Sequence, residues 1–424
     1  MRKALIAALV PIAACSAPSS AATTVDASVA YPGADELPER VELPALFDSF
    51  AGSRRVTSVA DWEGWRRAEL RDRFAHYIYG YAPAHSVAVT GRSTATIEGF
   101  LPGVARYEEV ELTLGDGAAP RVHLSLYLPL GVASPAVFVA LNKCGNQEVS
   151  ADPRVTASAA WIDTAVCGAS AEASRGARAS NWPVEAILRR GYAFVTFHES
   201  DIDPDTSTDR DFSDGVHPHF VPAGRAPEVR WGRIAAWSWG LSRAVDWLVA
   251  SGRVDASRIA VVGHSRRGKA ALWAGANDDR IAMVIAHQSG TAGAALSRSP
   301  VGESVQLINL SFPSWFNDVF PTFGGRESRL PLDQHQLVAL MAPRRLLLTD
   351  GDDDAWADPP GARGAAEAAD PAWGLHGRPG LVRGADGSFS LEGRLSWRTR
   401  PGGHSLGAED WETFLTFADR QWPR

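Results

Sequence analysis

The fold of this chain is constrained most by a series of short, continuous apolar runs separated by longer stretches with helical periodicity. The runs cover residues 137–141, 192–197, 259–262, 283–286 and 346–348. Short apolar runs bounded by glycine, proline or polar residues are typical of strands that are buried on both faces of a parallel sheet. The sequence therefore predicts an α/β domain in which helices cover both faces of a mostly parallel central sheet.

Three stretches carry the clearest helical spacing. Apolar residues recur every three or four positions from Trp62 to Ile78, and Gly80 ends this pattern. Residues 231–250 form a long tryptophan-rich segment, and residues 409–422 form an amphipathic segment near the end of the sequence. These segments supply the helical layers of a three-layer αβα sandwich.

The N-terminus has the features of an export signal. Arg2 and Lys3 precede the apolar run 4–14, which is too short to span a membrane as a mature helix. The residues that end at Cys15 resemble a bacterial lipoprotein box, in which the cysteine is lipidated. Ordinary cleavage near Ala22 is the alternative. In both cases we expect an exported protein, located in the periplasm or anchored to the outer membrane of a bacterium.

The composition of the rest of the chain indicates a short tether followed by one domain. Residues 16–40 are rich in Ala, Ser, Thr, Pro and Asp, which predicts a flexible tether after a signal peptide at residues 1–15. No second linker interrupts residues 41–424, which we interpret as a single catalytic domain. No later segment reaches 18 consecutive apolar residues. We therefore expect membrane contact only through the lipid anchor.

Charge and cysteine content exclude several classes of function. The chain has 42 Lys+Arg against 49 Asp+Glu, and a net charge of -7 argues against nucleic-acid binding. Beyond Cys15, only Cys144 and Cys167 remain. In an oxidising compartment this pair favours one disulfide, and two buried thiols are the alternative. The spacing of cysteine and histidine supports no zinc site, and we expect no metal.

The most specific local motif is a predicted strand that runs directly into a serine and then a helix. The strand ends in Gly263-His264-Ser265, and an Ala/Leu-rich helical sequence follows. This is the context of a nucleophile elbow, which exposes a serine at a helix N-terminus in the α/β-hydrolase fold. The second glycine of the usual motif lies one position later, at Gly268. A strand–helix turn with an incidental serine is the alternative interpretation.

A serine nucleophile needs a base, and the base needs a carboxylate. In this fold the order along the chain is serine, acid, histidine. His404 lies in a glycine-rich loop just before the last helix, where the fold has its base. His376 is the alternative, while His287 and His335 fall within predicted elements and are interpreted as structural.

The acid is expected in the loop after the predicted strand at 346–348. Five aspartates of this loop compete for the role, and a solvated acidic loop or a calcium loop is the alternative. They are Asp350, Asp352, Asp353, Asp354 and Asp358.

Several motifs together resemble carbohydrate esterase family 15, the glucuronoyl esterases, in its bacterial form. They are Gly-His-Ser-Arg-Arg-Gly-Lys at 263–269, His-Gln-Ser-Gly-Thr-Ala-Gly at 287–293, Gly-Glu at 302–303, Phe-Pro-Ser-Trp-Phe at 312–316 and Asp-x-Trp-Ala-Asp-Pro at 354–359. The resemblance extends from about Trp62 to the last helix. The offset glycine of the serine motif separates this family from ordinary lipases.

The resemblance implies roles for individual residues. Ser265 matches the nucleophile, His404 the base and Asp354 the acid. Arg266 matches the residue that supports the oxyanion. The residues that match the sugar-binding positions of the family are Lys269, Glu303 and Trp356.

One residue departs from the pattern of many family members. Those members carry a catalytic glutamate where this chain has Gln288. An amide cannot stabilise an imidazolium by charge, so Gln288 cannot be the acid. We interpret it as a hydrogen-bonding residue only.

These roles predict a serine esterase that works without a cofactor. The resemblance implies esters of (4-O-methyl-)glucuronic acid as substrates, such as the cross-links between glucuronoxylan and lignin. We expect a monomer. The alternatives are an acetyl-xylan or other carbohydrate esterase of the same fold, a serine peptidase, and a non-catalytic polysaccharide-binding lipoprotein.

Overall fold

A computed structural model describes residues 31–83, 87–206 and 212–422. The predicted signal peptide, its lipobox and the first part of the predicted tether lie outside these residues. Within the described ranges, no helix combines the length and apolar character that crossing a membrane requires.

A mixed sheet forms the centre of the molecule. The part of the chain that the structure describes contributes nine strands to it, in the order β1-β2-β3-β5-β4-β6-β7-β8-β11, and a separate hairpin of two strands. The strands are β1 (Val89–Leu101), β2 (Ala105–Leu114), β3 (Val122–Pro129), β4 (Val137–Asn142), β5 (Ala193–His198), β6 (Ile259–His264), β7 (Ile281–His287), β8 (Arg345–Gly351), β9 (Val382–Arg383), β10 (Phe389–Ser390) and β11 (Leu395–Arg400).

Six neighbouring strands, from β5 to β11 in the sheet order, run parallel. Five of them contain the five predicted apolar runs, except for Tyr192 directly before β5, and their residues are almost completely buried. The sixth, β11, is more polar and lies at the edge of the sheet. The predicted parallel core is therefore confirmed, and the carboxyl ends of these strands meet at one edge of the sheet.

The antiparallel half of the sheet was not anticipated. Strands β1, β2 and β3 pair antiparallel with one another, and β3 pairs antiparallel with β5. Charged residues interrupt the apolar pattern of β2, where Glu108 accepts two hydrogen bonds from Arg253 and Glu109 accepts two from Thr156. Because these partners are distant in sequence, the pattern of β2 did not predict a buried strand.

Helices cover both faces of the sheet. The described helices are α1 (Val59–Asp61), α2 (Arg67–Phe74), α3 (Thr164–Cys167), α4 (Val184–Arg189), α5 (Arg233–Ser251), α6 (Arg266–Asn277), α7 (Val305–Ser311), α8 (Gln334–Ala339), α9 (Pro359–Ala369), α10 (Pro371–Leu375) and α11 (Ala408–Gln421). Two π-helical segments, Trp62–Arg66 and Ala75–Tyr79, extend α1 and α2 into one helical stretch that ends at Gly80.

Alternate residues of each strand enter two separate hydrophobic cores. Val261 of β6 packs in the core that contains α5, α6, α8 and α9, whereas Val262 packs in the core that contains α4 and α11. This alternation follows from the two-residue period of a strand. The architecture is the predicted three-layer αβα sandwich.

The compact unit begins at Tyr31, before the predicted domain boundary at 41. Tyr31 stacks on His76 with ring centroids 4.0 Å apart, and Asp35 forms an ion pair of 2.5 Å with Arg326. Residues 31–40 thus pack against the domain, although their composition predicted a tether. A small number of anchoring contacts outweighs the polar character of the segment.

A disulfide joins Cys144 to Cys167. The bridge ties α3 to the loop that follows β4. Lys143, next to Cys144, also forms an ion pair of 3.7 Å with Asp163 across the same segment.

Candidate active site

Ser265 occupies the sharp turn between β6 and α6. Its φ of 60° and ψ of -128° are unusual for a residue with a side chain, and it forms the N-cap of α6. The Ser265 N–H donates to the carbonyl of His287 at the end of β7 (2.9 Å), which anchors the turn to the neighbouring strand. The first N–H groups of a helix have no partner within the helix, so they are available to bind negative charge at this point.

The two glycines of the motif are required by close contacts. A Cβ atom at Gly263 would lie 2.0 Å from the backbone oxygen of Arg267. A Cβ atom at Gly268 would lie 2.9 Å from the Cβ of Ser289, in the loop after β7. Position 268 faces the adjacent loop, so the second glycine is needed there, one residue later than in the usual motif.

The predicted base and acid contact each other directly. The Nδ1 of His404 lies 2.7 Å from the Oδ2 of Asp354. Asp354 is buried in the loop after β8, and the His404 side chain, in the loop after β11, is 38% exposed. Because β8 and β11 are adjacent parallel strands, both loops leave the same edge of the sheet.

The residue before Ser265 brings the serine turn near the predicted base. The ring of His264, directly before Ser265, lies 4.6 Å from the ring of His404 between centroids. Within the described residues, the Ser265 hydroxyl makes no hydrogen bond. Contacts between serine and histidine are often long in unliganded enzymes and shorten when substrate binds.

Arg266 is held in place by three residues. Its guanidinium forms an ion pair with Asp205 and lies over the rings of Trp315 (4.4 Å) and Phe312 (5.0 Å). Trp315 Nε1 donates to the other carboxylate oxygen of Asp205 (2.8 Å). Asp205 thus orients the cation beside the nucleophile.

Lys269 is buried one helical turn after Ser265. Its Nζ donates to the carbonyls of Ser289 (2.7 Å) and Thr291 (2.6 Å). Burial lowers the pKa of Lys269 to about 8, while nearby Glu303 opposes the shift. Two of its three protons therefore stabilise the loop after β7, and one is left for another acceptor.

Glu303 is near enough to Lys269 for the two charges to interact, and its backbone contacts Trp356. The Glu303 N–H donates to the Trp356 carbonyl (3.2 Å). The Glu303 side chain is 4% exposed, and its Oε1 has no hydrogen-bond partner within the described part of the chain. Burial raises the pKa of Glu303, and Lys269 opposes this shift. The indole of Trp356 is 51% exposed.

The remaining histidines after Ser265 have other contacts. His287 lies between Thr349 Oγ1 (2.9 Å) and the Ser405 carbonyl (2.7 Å), and His335 contacts the Pro44 carbonyl (2.9 Å). His376 is 3.7 Å from Glu63. Across residues 31–83, 87–206 and 212–422, no group of three or more His, Cys, Asp or Glu side chains could hold a metal ion.

Sequence reasoning did not assign Asp205 or the contacts of Gln288. Asp205 ends an Asp-Pro-Asp sequence at 203–205, and nothing in that local sequence connects it with Arg266. Gln288 touches the backbone on both sides of His404. An amide that binds the backbone leaves no characteristic motif, so only the structure could reveal this contact.

The strand order and the serine turn define an α/β-hydrolase fold. A family model described as glucuronyl esterase, fungi, matches residues 178–377. A carbohydrate esterase, MZ0003, from an unknown prokaryotic organism is 36% identical over 376 residues, which cover 86% of each chain. The chain belongs to carbohydrate esterase family 15 and is a carboxylic ester hydrolase.

Solved structures agree with this assignment. A glucuronoyl esterase from Solibacter usitatus has a TM-score of 0.82 and 36% identity, covering 92% of this chain and 100% of that one. A promiscuous esterase of the same family from a marine bacterial metagenome has a TM-score of 0.82 and 35% identity, covering 91% and 98%. A 4-O-methyl-glucuronoyl methylesterase from Hypocrea jecorina is 36% identical over 151 residues, which cover 34% of this chain and 33% of that one.

Proposed function

We propose that the protein hydrolyses esters of glucuronic acid with Ser265 as nucleophile. The observation that carries this proposal is the buried pair of Lys269 and Glu303 beside the exposed indole of Trp356. Carboxylate and ammonium groups bind sugar hydroxyls, and an exposed indole offers an apolar face to a pyranose ring. The names of the relatives, glucuronoyl esterase and 4-O-methyl-glucuronoyl methylesterase, support the same acid.

The unpaired oxygen of Glu303 explains how the sugar is recognised. A buried carboxylate oxygen without a donor costs free energy, about 1–3 kcal/mol. A hydroxyl of the bound sugar supplies the missing donor, and the third proton of Lys269 supplies a donor to a sugar oxygen. Both groups thus favour a polyhydroxylated acid over a simple acyl chain.

The reaction proceeds in two steps. Ser265 attacks the ester carbonyl while His404 takes its proton, and Asp354 stabilises the resulting imidazolium. The Arg266 backbone N–H and guanidinium stabilise the oxyanion of the tetrahedral intermediate. The alcohol leaves with the proton from His404. Water then attacks the acyl-enzyme by the same route and regenerates Ser265.

A cavity of about 350 Å³ next to Arg266 suits the alcohol. Its lining includes Lys143, Phe312 and Trp161, whose indole is 40% exposed. An aromatic wall next to the reacting carbonyl favours an aryl alcohol. The natural substrate that fits this description is the ester between a lignin alcohol and a glucuronate branch of xylan.

Such a polymer is extracellular, which agrees with the predicted export signal. We propose that Cys15 is lipidated and that the enzyme acts at the bacterial surface or in the periplasm as a monomer. The disulfide between Cys144 and Cys167 supports an oxidising location. Incorporation of labelled palmitate into the wild type but not into Cys15→Ser is the expected result, and equal labelling of both would exclude this anchor.

A substrate panel tests the proposed activity. We expect turnover of benzyl and methyl glucuronates, faster for the benzyl ester, and weak turnover of acetylated xylan and of galacturonate esters. Ser265→Ala should abolish all hydrolysis while its thermal unfolding stays close to that of the wild type. Preference for acetyl esters would contradict glucuronate esters as the substrate. Activity retained in Ser265→Ala would exclude Ser265 as the nucleophile.

A further inference from the structure

One amide side chain binds the backbone on both sides of the predicted base. The Nε2 of Gln288 donates to the carbonyl of Gly403 (2.9 Å), and the N–H of Ser405 donates to the Oε1 of Gln288 (3.0 Å). These two groups belong to the peptide bonds directly before and directly after His404. A single planar group therefore determines the position of the His404 backbone at both ends.

The same oxygen also contacts the strand that carries the nucleophile. His264 Nε2 lies 3.0 Å from Gln288 Oε1. Burial lowers the pKa of His264 well below its usual value, so this ring is neutral and donates its Nε2 proton to the amide oxygen. Gln288 thus links the residue before Ser265 to the residues that flank His404.

The backbone of Gln288 is itself unusual. Its φ of 49° lies in the left-handed region, which costs a residue with a side chain free energy. Its N–H donates to the Thr349 carbonyl of β8 (2.7 Å), which extends the pairing of β7 and β8 by one residue. This contact holds the side chain at 1% exposure between the two loops.

We infer that Gln288 is a positioning residue that sets the distance between His404 and Ser265, and that the amide is required because one of its contacts needs a donor. A glutamate at this position would keep the contacts with Ser405 and His264. Its carboxylate would face the Gly403 carbonyl at 2.9 Å with no proton between them, and the two oxygens would repel each other. The inference rests on the proposed role of His404 as the base.

Other contacts support the same loop but do not duplicate this one. His287 Nε2 and Arg400 Nη2 bind the Ser405 carbonyl (2.7 and 2.8 Å), which lies beyond the peptide bonds that flank His404. Arg400 Nη1 reaches the Gly403 carbonyl only at 3.4 Å. The loop should therefore stay folded without Gln288, while the His404 imidazole is no longer held at its position relative to Ser265.

Steady-state kinetics of Gln288→Glu and Gln288→Met tests the inference. The first variant keeps the shape and replaces the donor, and the second keeps the length but has neither donor nor strong acceptor. We expect kcat to fall about 10²-fold in both, the loss typical of a displacement of about 1 Å in an active site. KM for benzyl glucuronate should stay near the wild-type value, because the Gln288 side chain contacts none of the predicted sugar-binding residues.

Gln421 offers a matched control. Its Nε2 donates to the backbone carbonyls of Leu391, Glu392 and Gly393, near the end of α11. Gln421→Glu and Gln421→Met thus make the same chemical change to an amide that holds a loop elsewhere. We expect wild-type kcat in both, after correction for the folded fraction measured by circular dichroism.

The pH dependence of Gln288→Glu gives a second readout. A protonated carboxyl regains the donor, so the ratio of kcat/KM between this variant and the wild type should rise as the pH falls, whereas the ratio for Gln288→Met should stay level. The histidines around the Gln288 amide and the His404 loop are His264, His287 and His404, with Arg267 acting on His264 and Asp354 paired with His404. Arg400 contacts the Gly403 and Ser405 carbonyls, and Asp410 pairs with Arg400 and lies 3.5 Å from His287. They are present in all three proteins, and Gln288→Met, which adds no charge, is the reference for their own titration.

Unchanged kcat in both Gln288 variants would overturn the inference, as would a loss that appears in KM alone. p-Nitrophenyl acetate is assayed in parallel as a simple ester. Turnover of this ester by the wild type without turnover of benzyl glucuronate would contradict the proposed substrate, and the comparison of kcat among the variants would still test the role of Gln288.

Discussion

The aspartates at the end of β8 and in the loop after it lie in very different surroundings. Asp354 is buried and contacts His404, whereas Asp352 and Asp353 are exposed. Asp350 is buried beside Trp397 Nε1 (2.9 Å), and burial raises its pKa to about 7. Among these aspartates, Asp354 is the one whose carboxylate contacts His404 within the described residues, and this geometry favours it as the proposed acid.

Asp354→Asn should therefore lower kcat by about 10⁴-fold, because an amide neither fixes the imidazole tautomer nor stabilises its charge. Asp353→Asn is the matched control in the same loop and should retain wild-type kcat. Benzyl glucuronate hydrolysis at neutral pH measures both. Similar kcat values for the two variants would assign the acid to another residue.

The proposed role of Lys269 in sugar binding predicts a pH dependence of KM. Its pKa of about 8 is below the usual value of 10.5, so the side chain is positively charged below about pH 8 and loses this charge as the pH rises further. We expect KM for a glucuronate ester to increase above pH 8. In Lys269→Arg, KM should be higher throughout but level between pH 7 and 9, since arginine keeps its proton. An increase of KM of equal size above pH 8 in Lys269→Arg would mean that a group other than Lys269 titrates.

At the scale of elements, the turn between β6 and α6 depends on space rather than on side-chain chemistry. Gly263 approaches the backbone of α6, and Gly268 approaches the loop after β7. Backbone oxygen atoms cannot move aside as a flexible side chain could. The unusual dihedral angles of Ser265 are thus maintained by close packing on both sides of the turn.

Gly263→Ala should destabilise the protein by about 3 kcal/mol or abolish folding, because the added Cβ overlaps a backbone oxygen. Gly374→Ala in α10 is the control, since a Cβ there meets no atom within 4 Å. Urea denaturation compares the two variants. Equal stability would mean that the turn can relax and that the glycine is not required for packing.

At the scale of the whole molecule, the segment before the predicted domain boundary contributes to the stability of the domain. Tyr31 stacks on His76, Tyr77 Oη donates to the Pro32 carbonyl (3.0 Å), and Glu39 pairs with Arg329 (2.9 Å). These contacts connect the segment to the first helical stretch and to residues between β7 and β8.

A chain that starts at residue 41 should lose about 2 kcal/mol of unfolding free energy relative to one that starts at residue 31, because it loses the partly buried ring of Tyr31, buried Ala34 and their neighbouring contacts. Thermal denaturation of the two truncated proteins measures the difference. kcat should be equal, since the segment contacts none of the predicted catalytic residues. Equal melting temperatures of the two proteins would mean that the folded domain begins at residue 41, as the composition predicted.

The sequence by itself determined the parallel core, the serine turn and the fold, because apolar runs and glycine spacing are local patterns. The same local evidence left five aspartates open as the acid, and only the family resemblance selected one. Strand β2 was not predicted because its buried glutamates bind residues far away in sequence, Glu108 to Arg253 and Glu109 to Thr156. The orientation of Arg266 by Asp205 and the contacts of Gln288 with the His404 loop were decided only by the tertiary structure. Each joins side chains and backbone groups that are separated along the chain and adjacent in space.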